Sequence, residues 1–266
     1  LPLSDDRGRP EAGGADLRYG RGEAQLLRRV IRGSTMTRTH HFDSLDMSVV
    51  TDPEVATALP QLLTEWRARK RWDDLAPAVL VFHAHILDSF LKHGHPPSLK
   101  GVDEATLEKL QEHDLIVLND GAIEHTYPFA ATPMPHTVTI NSVTNFNVCA
   151  LDAFGASAMV GALGHVRLDC AACGDSISVS IGKDGLVLNA AMPEDARIWA
   201  GIVASGECAA SSQCQSMLGF CSQTHLDQWR AAQSDQNKGF CFDSTQALQA
   251  GAALFRPFMR RARSVG

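Results

Sequence analysis

Asn145-Phe-Asn-Val-Cys149-Ala-Leu-Asp152-Ala-Phe-Gly155 is a run that favours a helix and carries a thiol and a carboxylate three residues apart. In a helix this spacing places both side chains on one face, close enough to exchange a proton. Asn145 or Asn147 can cap the helix start, which puts Cys149 in or near the first turn. The free N–H groups and the helix dipole there favour a thiolate, so the run predicts an activated cysteine. The alternative is a buried structural cysteine, because free cysteine is among the most buried residue types.

The residues around this helix predict an antiparallel sheet. Strands are predicted at 136–142, 164–168, 176–181, 186–190 and 198–204, with further helices at 224–233 and 244–263. Turn residues such as Lys183-Asp-Gly185 separate the short strands, which favours hairpin pairing. Residues 136–266 are therefore predicted to form an α+β domain with an antiparallel sheet.

Three helices and a hairpin are predicted in front of this domain. The helices begin near Asp52, Leu75 and Asp103, and the hairpin strands are Leu115–Leu118 and Ala122–Tyr127. This order is the outline of a winged helix, so residues 51–135 predict a winged-helix-like helical domain that ends in a proline-rich linker at 128–135. Residues 1–50 begin with a Gly- and Arg-rich segment that lacks apolar periodicity, and they predict a disordered N-terminal arm.

The charge of the chain argues against nucleic acid as its partner. The third helix of a winged helix reads DNA, and here that region carries mostly acidic residues: Glu104, Glu108, Glu112 and Asp114 against Lys109. The chain has a formal net charge of −6, which also argues against nucleic acid.

No apolar run approaches the roughly 20 residues of a membrane span, and no secretory signal is recognisable. We therefore expect a cytoplasmic protein that binds neither nucleic acid nor membrane.

Seven cysteines lie in the second half of the chain, at positions 149, 170, 173, 208, 214, 221 and 241. An odd count without a secretion signal favours reduced thiols. Cys170-Ala-Ala-Cys173 matches half a zinc knuckle or a redox pair. However, no second CxxC or HxxxH stands at the usual distance, and the turn does not open a helix, so we interpret both cysteines as structural.

The remaining thiols and the histidines give no local metal loop. Cys208, Cys214 and Cys221 are too far apart for one, so any site must combine one of them with Cys149 across the fold. Four histidines cluster in the second predicted helix and just after it, at positions 83, 85, 93 and 95. Metal binding is one interpretation, but no matching carboxylate accompanies them, which favours solvated histidines.

Three sequence blocks, in this order, resemble the organomercurial (alkylmercury) lyase family. They are Cys149-Ala-Leu-Asp152; Val166-Arg-Leu-Asp-Cys170-Ala-Ala-Cys-Gly174 with the strand Ser176–Ser180; and Gln213-Cys214 through Gly219-Phe220-Cys-Ser222, followed by Asp227-Gln-Trp229. The resemblance covers about residues 75–260, including the winged-helix-like half that this family carries.

The resemblance implies a lyase of mercury detoxification that cleaves carbon–mercury bonds by protonolysis into a hydrocarbon and Hg(II). Cys149 and Cys214 would bind mercury, with Asp152 as acid/base beside the Hg(II) product, and Cys170 would be a structural cysteine. Thiolate is the ligand that a soft cation such as Hg(II) prefers. No cofactor is implied; small thiols would remove the ion, and a mercuric reductase would accept it.

The chain departs from the family beside Cys214. Gln213 stands where the family has an aromatic residue, and Gln215 and Ser216 stand where it has histidines. We therefore expect a different pocket shape and substrate range. Two alternatives remain: a protein of the same fold that binds a soft metal or organometal without turnover, and a winged-helix regulator with a cysteine-based sensor.

Overall fold

The computed structural model of the chain describes residues 44–63, 71–72, 74–203, 208–233 and 238–264. The helices of this part are α1 (Pro53–Leu62), α2 (Pro77–His93), α3 (Glu104–Glu112), α4 (Ala150–Val160), α5 (Gln223–Ala231) and α6 (Ser244–Ser264). The strands are β1 (Ile116–Asn119), β2 (Ala122–Thr126), β3 (Phe129–Ala130), β4 (His136–Ile140), β5 (Val143–Asn147), β6 (Gly164–Asp169), β7 (Ser176–Ile181), β8 (Leu188–Met192), β9 (Arg197–Gly201), β10 (Met217–Phe220) and β11 (Gly239–Asp243). Short 3-10 turns cover Met47–Val49 and Gln213–Ser216.

Two antiparallel sheets organise these strands. The larger has eight strands in the order β1-β2-β3-β5-β4-β6-β7-β8, and the smaller has three in the order β10-β9-β11. The predicted α+β class with antiparallel sheets is therefore confirmed. In β6, Val166 and Leu168 are buried whereas His165 and Arg167 are exposed, which is the alternation of a strand with one covered face.

Helix α4 is almost entirely buried. It packs on α6 and on strands β4 and β6, and its residues from Ala150 to Met159 are buried. Gly155 of α4 meets Gly251 of α6: a Cβ added to Gly155 would stand 2.5 Å from the Gly251 carbonyl oxygen. This close contact between the two backbones fixes the position of α4 against α6. It therefore also fixes the position of Cys149, the N-cap residue of α4.

The predicted linker at 128–135 is wrong in its first part. Phe129 and Ala130 form β3, are buried, and pair with both β2 and β5. The reason is apolar packing, since the Phe129 ring stacks on Phe90 with centroids 5.3 Å apart. The large sheet thus continues across residue 135, and the division into domains 51–135 and 136–266 stays a prediction.

The predicted N-terminal arm, residues 1–50, lies outside the described residues up to residue 43. Its last part, 44–50, is not disordered: the Asp46 backbone N–H donates to the Ala253 carbonyl at 2.9 Å, and its carboxylate pairs with Arg256 at 2.8 Å and with Arg260. Contacts with α6 therefore fix this segment, although it belongs to the predicted arm.

Helices α1 to α3 and the β1–β2 hairpin occupy the positions predicted for them, and their winged-helix arrangement stays a prediction. In the described part of the chain, no helix is both long and apolar enough to cross a membrane.

Candidate active site

Cys149 lies where β5 ends and α4 begins. It is the N-cap residue itself, with extended backbone angles, and its N–H donates to Asp152 Oδ2 at 3.1 Å. The Asp152 N–H in turn donates to the Cys149 sulfur, which completes a reciprocal capping box. The predicted caps Asn145 and Asn147 are wrong, because both residues belong to β5. Local helix geometry therefore fixes the thiol and the carboxyl group relative to each other.

Cys214 approaches from another part of the chain. It lies in the 3-10 turn before β10, where its N–H donates to the Ala209 carbonyl at 2.9 Å. The sulfur atoms of Cys149 and Cys214 and a carboxylate oxygen of Asp152 lie within 4.8 Å of one another. The three residues are 1%, 8% and 5% exposed, so they form a buried thiol–thiol–carboxyl cluster. Met217 borders it, with its sulfur 3.6 Å from that of Cys149.

The sequence did not reveal the residues that hold the Cys214 segment. Asp114, which we placed on an acidic helix face, is buried and accepts the Ala209 N–H at 3.2 Å and the Tyr127 hydroxyl at 3.1 Å. The Tyr127 oxygen accepts the Ala210 N–H at 2.8 Å. These contacts join the residues just after α3 and β2 to the turn that carries Cys214. Sequence spacing could not predict these contacts, because the partners are 83 and 95 residues apart.

Burial dominates the electrostatics of the cluster. It raises the pKa of Asp152 to about 7, although the hydrogen bond with the Cys149 side chain and the positive charge of Arg71 lower it. Burial also raises the pKa of Cys149 well above its usual value. The expectation of a thiolate favoured by the helix start is therefore wrong, because desolvation outweighs the N–H donor. The pKa of Cys214 is also raised. The hydrogen bond with Cys149 lowers it, but burial and the nearby carboxylates of Asp152 and Asp114 together outweigh that effect.

This raised pKa predicts a pH dependence of stability. The folded pKa of Asp152 lies above the unfolded value of about 4, so the fold favours the neutral carboxyl group. The resulting stabilisation is fully present below pH 4 and is lost as the pH rises through 7. The quantity to compare is the difference in the free energy of unfolding, wild type minus Asp152→Asn. We expect this difference to fall by roughly 4 kcal/mol between pH 4 and pH 8. Urea unfolding at several pH values measures it, and a constant difference would contradict the assignment.

The CxxC cysteines do not join this cluster. Cys170 and Cys173 meet Cys221 and His225, and one ligand atom from each lies within 4.8 Å of the others. No second CxxC or HxxxH stands at the usual distance in the sequence, but the more distant pair Cys221 and His225 completes this group in the fold. Cys221 also combines with this group rather than with Cys149.

The other predicted metal ligands remain apart. Among the described residues, none of the histidines 83, 85, 93 and 95 belongs to a group that could hold a metal ion. Cys208 and Cys241 lie beside polar side chains instead. The Cys208 sulfur is 3.1 Å from the Ser211 hydroxyl oxygen, and the Cys241 sulfur is 3.7 Å from Gln223 Oε1.

A sequence model of the MerB family, described as alkylmercury lyase, matches residues 129–256. That range contains Cys149, Asp152 and Cys214. These residues are similar to the alkylmercury lyase family. The fold is similar to that in the crystal structure of the mercury-bound form of MerB2, with a TM-score of 0.60 and 19% sequence identity over 78% of this chain and 100% of that one. No curated protein sequence matches the chain.

Two of the residues beside Cys214 make local hydrogen bonds. Gln213 is buried, and its side-chain amide donates to the Leu62 carbonyl at the end of α1. The Ser216 hydroxyl donates to the Gln213 carbonyl at 2.7 Å, whereas Gln215 is exposed. The departure at Gln213 thus replaces an aromatic side chain by a polar one that ties the turn to α1.

Proposed function

We propose that the chain is an organomercurial lyase that cleaves the carbon–mercury bond by protonolysis, yielding a hydrocarbon and Hg(II). The observation that carries this proposal is the buried convergence of two thiols and a carboxyl group within 4.8 Å. The match of residues 129–256 to the alkylmercury lyase family model supports it. Cys149 and Cys214 are the mercury ligands, and Asp152 is the acid/base.

Mercury capture comes first. An organomercurial R–Hg–X exchanges its ligand X for the sulfur of one thiol, because soft Hg(II) prefers sulfur donors. One thiol proton leaves with X as HX. When the second thiol binds, its proton passes to the Asp152 carboxylate, which is available because a pKa of about 7 leaves part of the population ionised at neutral pH. Mercury then carries two thiolates and the organic group.

Protonolysis follows from this arrangement. Two thiolates push electron density through mercury toward carbon, which makes the carbon basic. Asp152 delivers its proton to that carbon, the carbon–mercury bond electrons form the new C–H bond, and R–H departs. Hg(II) remains on Cys149 and Cys214, with the carboxylate beside it. Burial of the cluster supports the proton transfer, since a general acid is most effective when its pKa lies near the working pH.

Product release needs an outside acceptor in this proposal. Small cellular thiols would exchange with Cys149 and Cys214 and carry Hg(II) to a mercuric reductase, within cytoplasmic mercury detoxification. No resident cofactor enters the reaction, because protonolysis transfers a proton and no electrons to or from the protein.

The proposal predicts hydrocarbon production by the wild-type chain. With phenylmercury or methylmercury in excess small thiol, we expect benzene or methane to form catalytically, in amounts equal to the Hg(II) released. Gas chromatography measures the hydrocarbon. Stoichiometric mercury binding without any hydrocarbon would contradict the lyase and favour a protein that only binds organometals.

A further inference from the structure

A second cluster of metal-binding side chains lies outside the proposed active site. Cys170 and Cys173 belong to the turn after β6, Cys221 follows β10, and His225 lies in the first turn of α5. Cys170 and Cys221 are buried, His225 is half-buried and Cys173 is exposed. Three thiols and one imidazole thus meet near the surface.

Two distances in this cluster are close to those around a tetrahedral ion, and a third is shorter. With Zn–S bonds of about 2.3 Å and a Zn–N bond of about 2.05 Å, tetrahedral geometry separates two sulfurs by about 3.8 Å and a sulfur and a nitrogen by about 3.6 Å. Here the sulfurs of Cys173 and Cys221 are 3.7 Å apart. His225 Nδ1 lies 3.6 Å from the Cys170 sulfur and 3.0 Å from that of Cys221.

The turn around the CxxC pair directs backbone N–H groups at the sulfurs. The N–H of Asp175 donates to the Cys173 sulfur at 3.4 Å, and those of Ala172, Cys173 and Cys221 point to the Cys170 sulfur. Such donors stabilise sulfurs that carry negative charge, as metal-bound thiolates do. Gly174, with a φ of +78°, lets the turn close so that its N–H bonds to the Cys170 carbonyl at 2.8 Å.

We propose that Cys170, Cys173, Cys221 and His225 bind one structural Zn²⁺ ion. The donor set is Cys₃His, which is a known zinc set, and four protein ligands leave no open position for substrate. A disulfide between Cys173 and Cys221 would account for only two of the four groups. It would leave unexplained why Cys170 and the imidazole of His225 converge on the same point.

The ion would fix the strand that leads to the active site. Cys221 directly follows β10, and Met217, at the other end of this strand, contacts Cys149. The Ala171 N–H, inside the CxxC turn, donates to the Gly219 carbonyl of β10 at 2.8 Å. Zinc would therefore clamp β10 between β6 and α5, a role that is independent of whether the chain cleaves carbon–mercury bonds.

The first test is the metal content of the wild-type chain, expressed in zinc-containing medium and never exposed to mercury, since Hg(II) would compete for the thiolates. Inductively coupled plasma mass spectrometry is expected to find about one zinc per chain. Cys221→Ser and His225→Ala should each lower this content at least about tenfold. The controls Cys241→Ser and the double variant Cys149→Ser/Cys214→Ser should keep it.

A second measurement serves if the ligand variants fail to fold. Wild-type protein exchanged with Co(II) should show the intense d–d bands of a tetrahedral site and thiolate-to-cobalt charge transfer. An octahedral spectrum, or a purified wild type without zinc and with a Cys173–Cys221 disulfide, would overturn the proposal. So would a zinc content that stays the same in folded Cys221→Ser and His225→Ala.

Discussion

Cys149→Ser is expected to lower the rate of hydrocarbon release from phenylmercury by at least about 10³-fold. Serine keeps the size and the N-cap position but replaces a soft sulfur by a hard oxygen, which is a poor ligand for mercury. Without the second sulfur, mercury does not gain the electron density that makes its carbon basic. Benzene release under saturating phenylmercury and excess thiol measures the change.

The matched control is Cys241→Ser. Cys241 lies in β11, outside both cysteine clusters of the described residues, and its sulfur contacts Gln223. This variant should retain the wild-type rate within about twofold, since a surface or half-buried substitution of this kind costs little stability. Equal losses in the two variants would mean that the thiol of Cys149 has no special role.

Asp152→Asn is expected to lower hydrocarbon release by about 10³-fold while leaving mercury binding intact. The amide has nearly the shape of the carboxyl group, but it can neither accept the thiol proton nor deliver one to carbon. Cys149 and Cys214 remain, so phenylmercury should still bind with the wild-type stoichiometry. Rapid-mixing measurement of benzene and of bound mercury in the same samples separates the two effects.

The variant Asp195→Asn is a suitable comparison, because Asp195 is exposed and pairs with Arg197 at 2.7 Å away from the cluster. It should release benzene at the wild-type rate. Full activity of Asp152→Asn would remove this residue from the chemistry, and loss of mercury binding would make it a structural residue.

Local patterns predicted much of the fold. The alternation of β6 and β7, the Asn119-Asp-Gly121 hairpin and the helix after Cys149 are all properties of short segments, and each is present in the structure. Strand β3 was missed because its two residues lie among prolines and pair only through the sheet. Its burial depends on contacts that no short window contains.

The candidate active site was predictable only in part. The spacing of Cys149 and Asp152 indicated a proton-exchanging pair, but the partner Cys214 came from a family resemblance. Spacing carried even less information about Asp114, which acts on a turn 95 residues away. The electrostatics also depended on the fold, since burial raises the pKa of Cys149 against the tendency of a helix start.

The decisive measurement is a single turnover in deuterated water. Wild-type protein is mixed with less than one equivalent of phenylmercury, without added thiol, and both products are counted. We expect one benzene for each mercury bound, each benzene carrying one deuterium, with Hg(II) left on Cys149 and Cys214. Bound phenylmercury that stays intact, or benzene that carries no deuterium, would contradict protonolysis at this cluster.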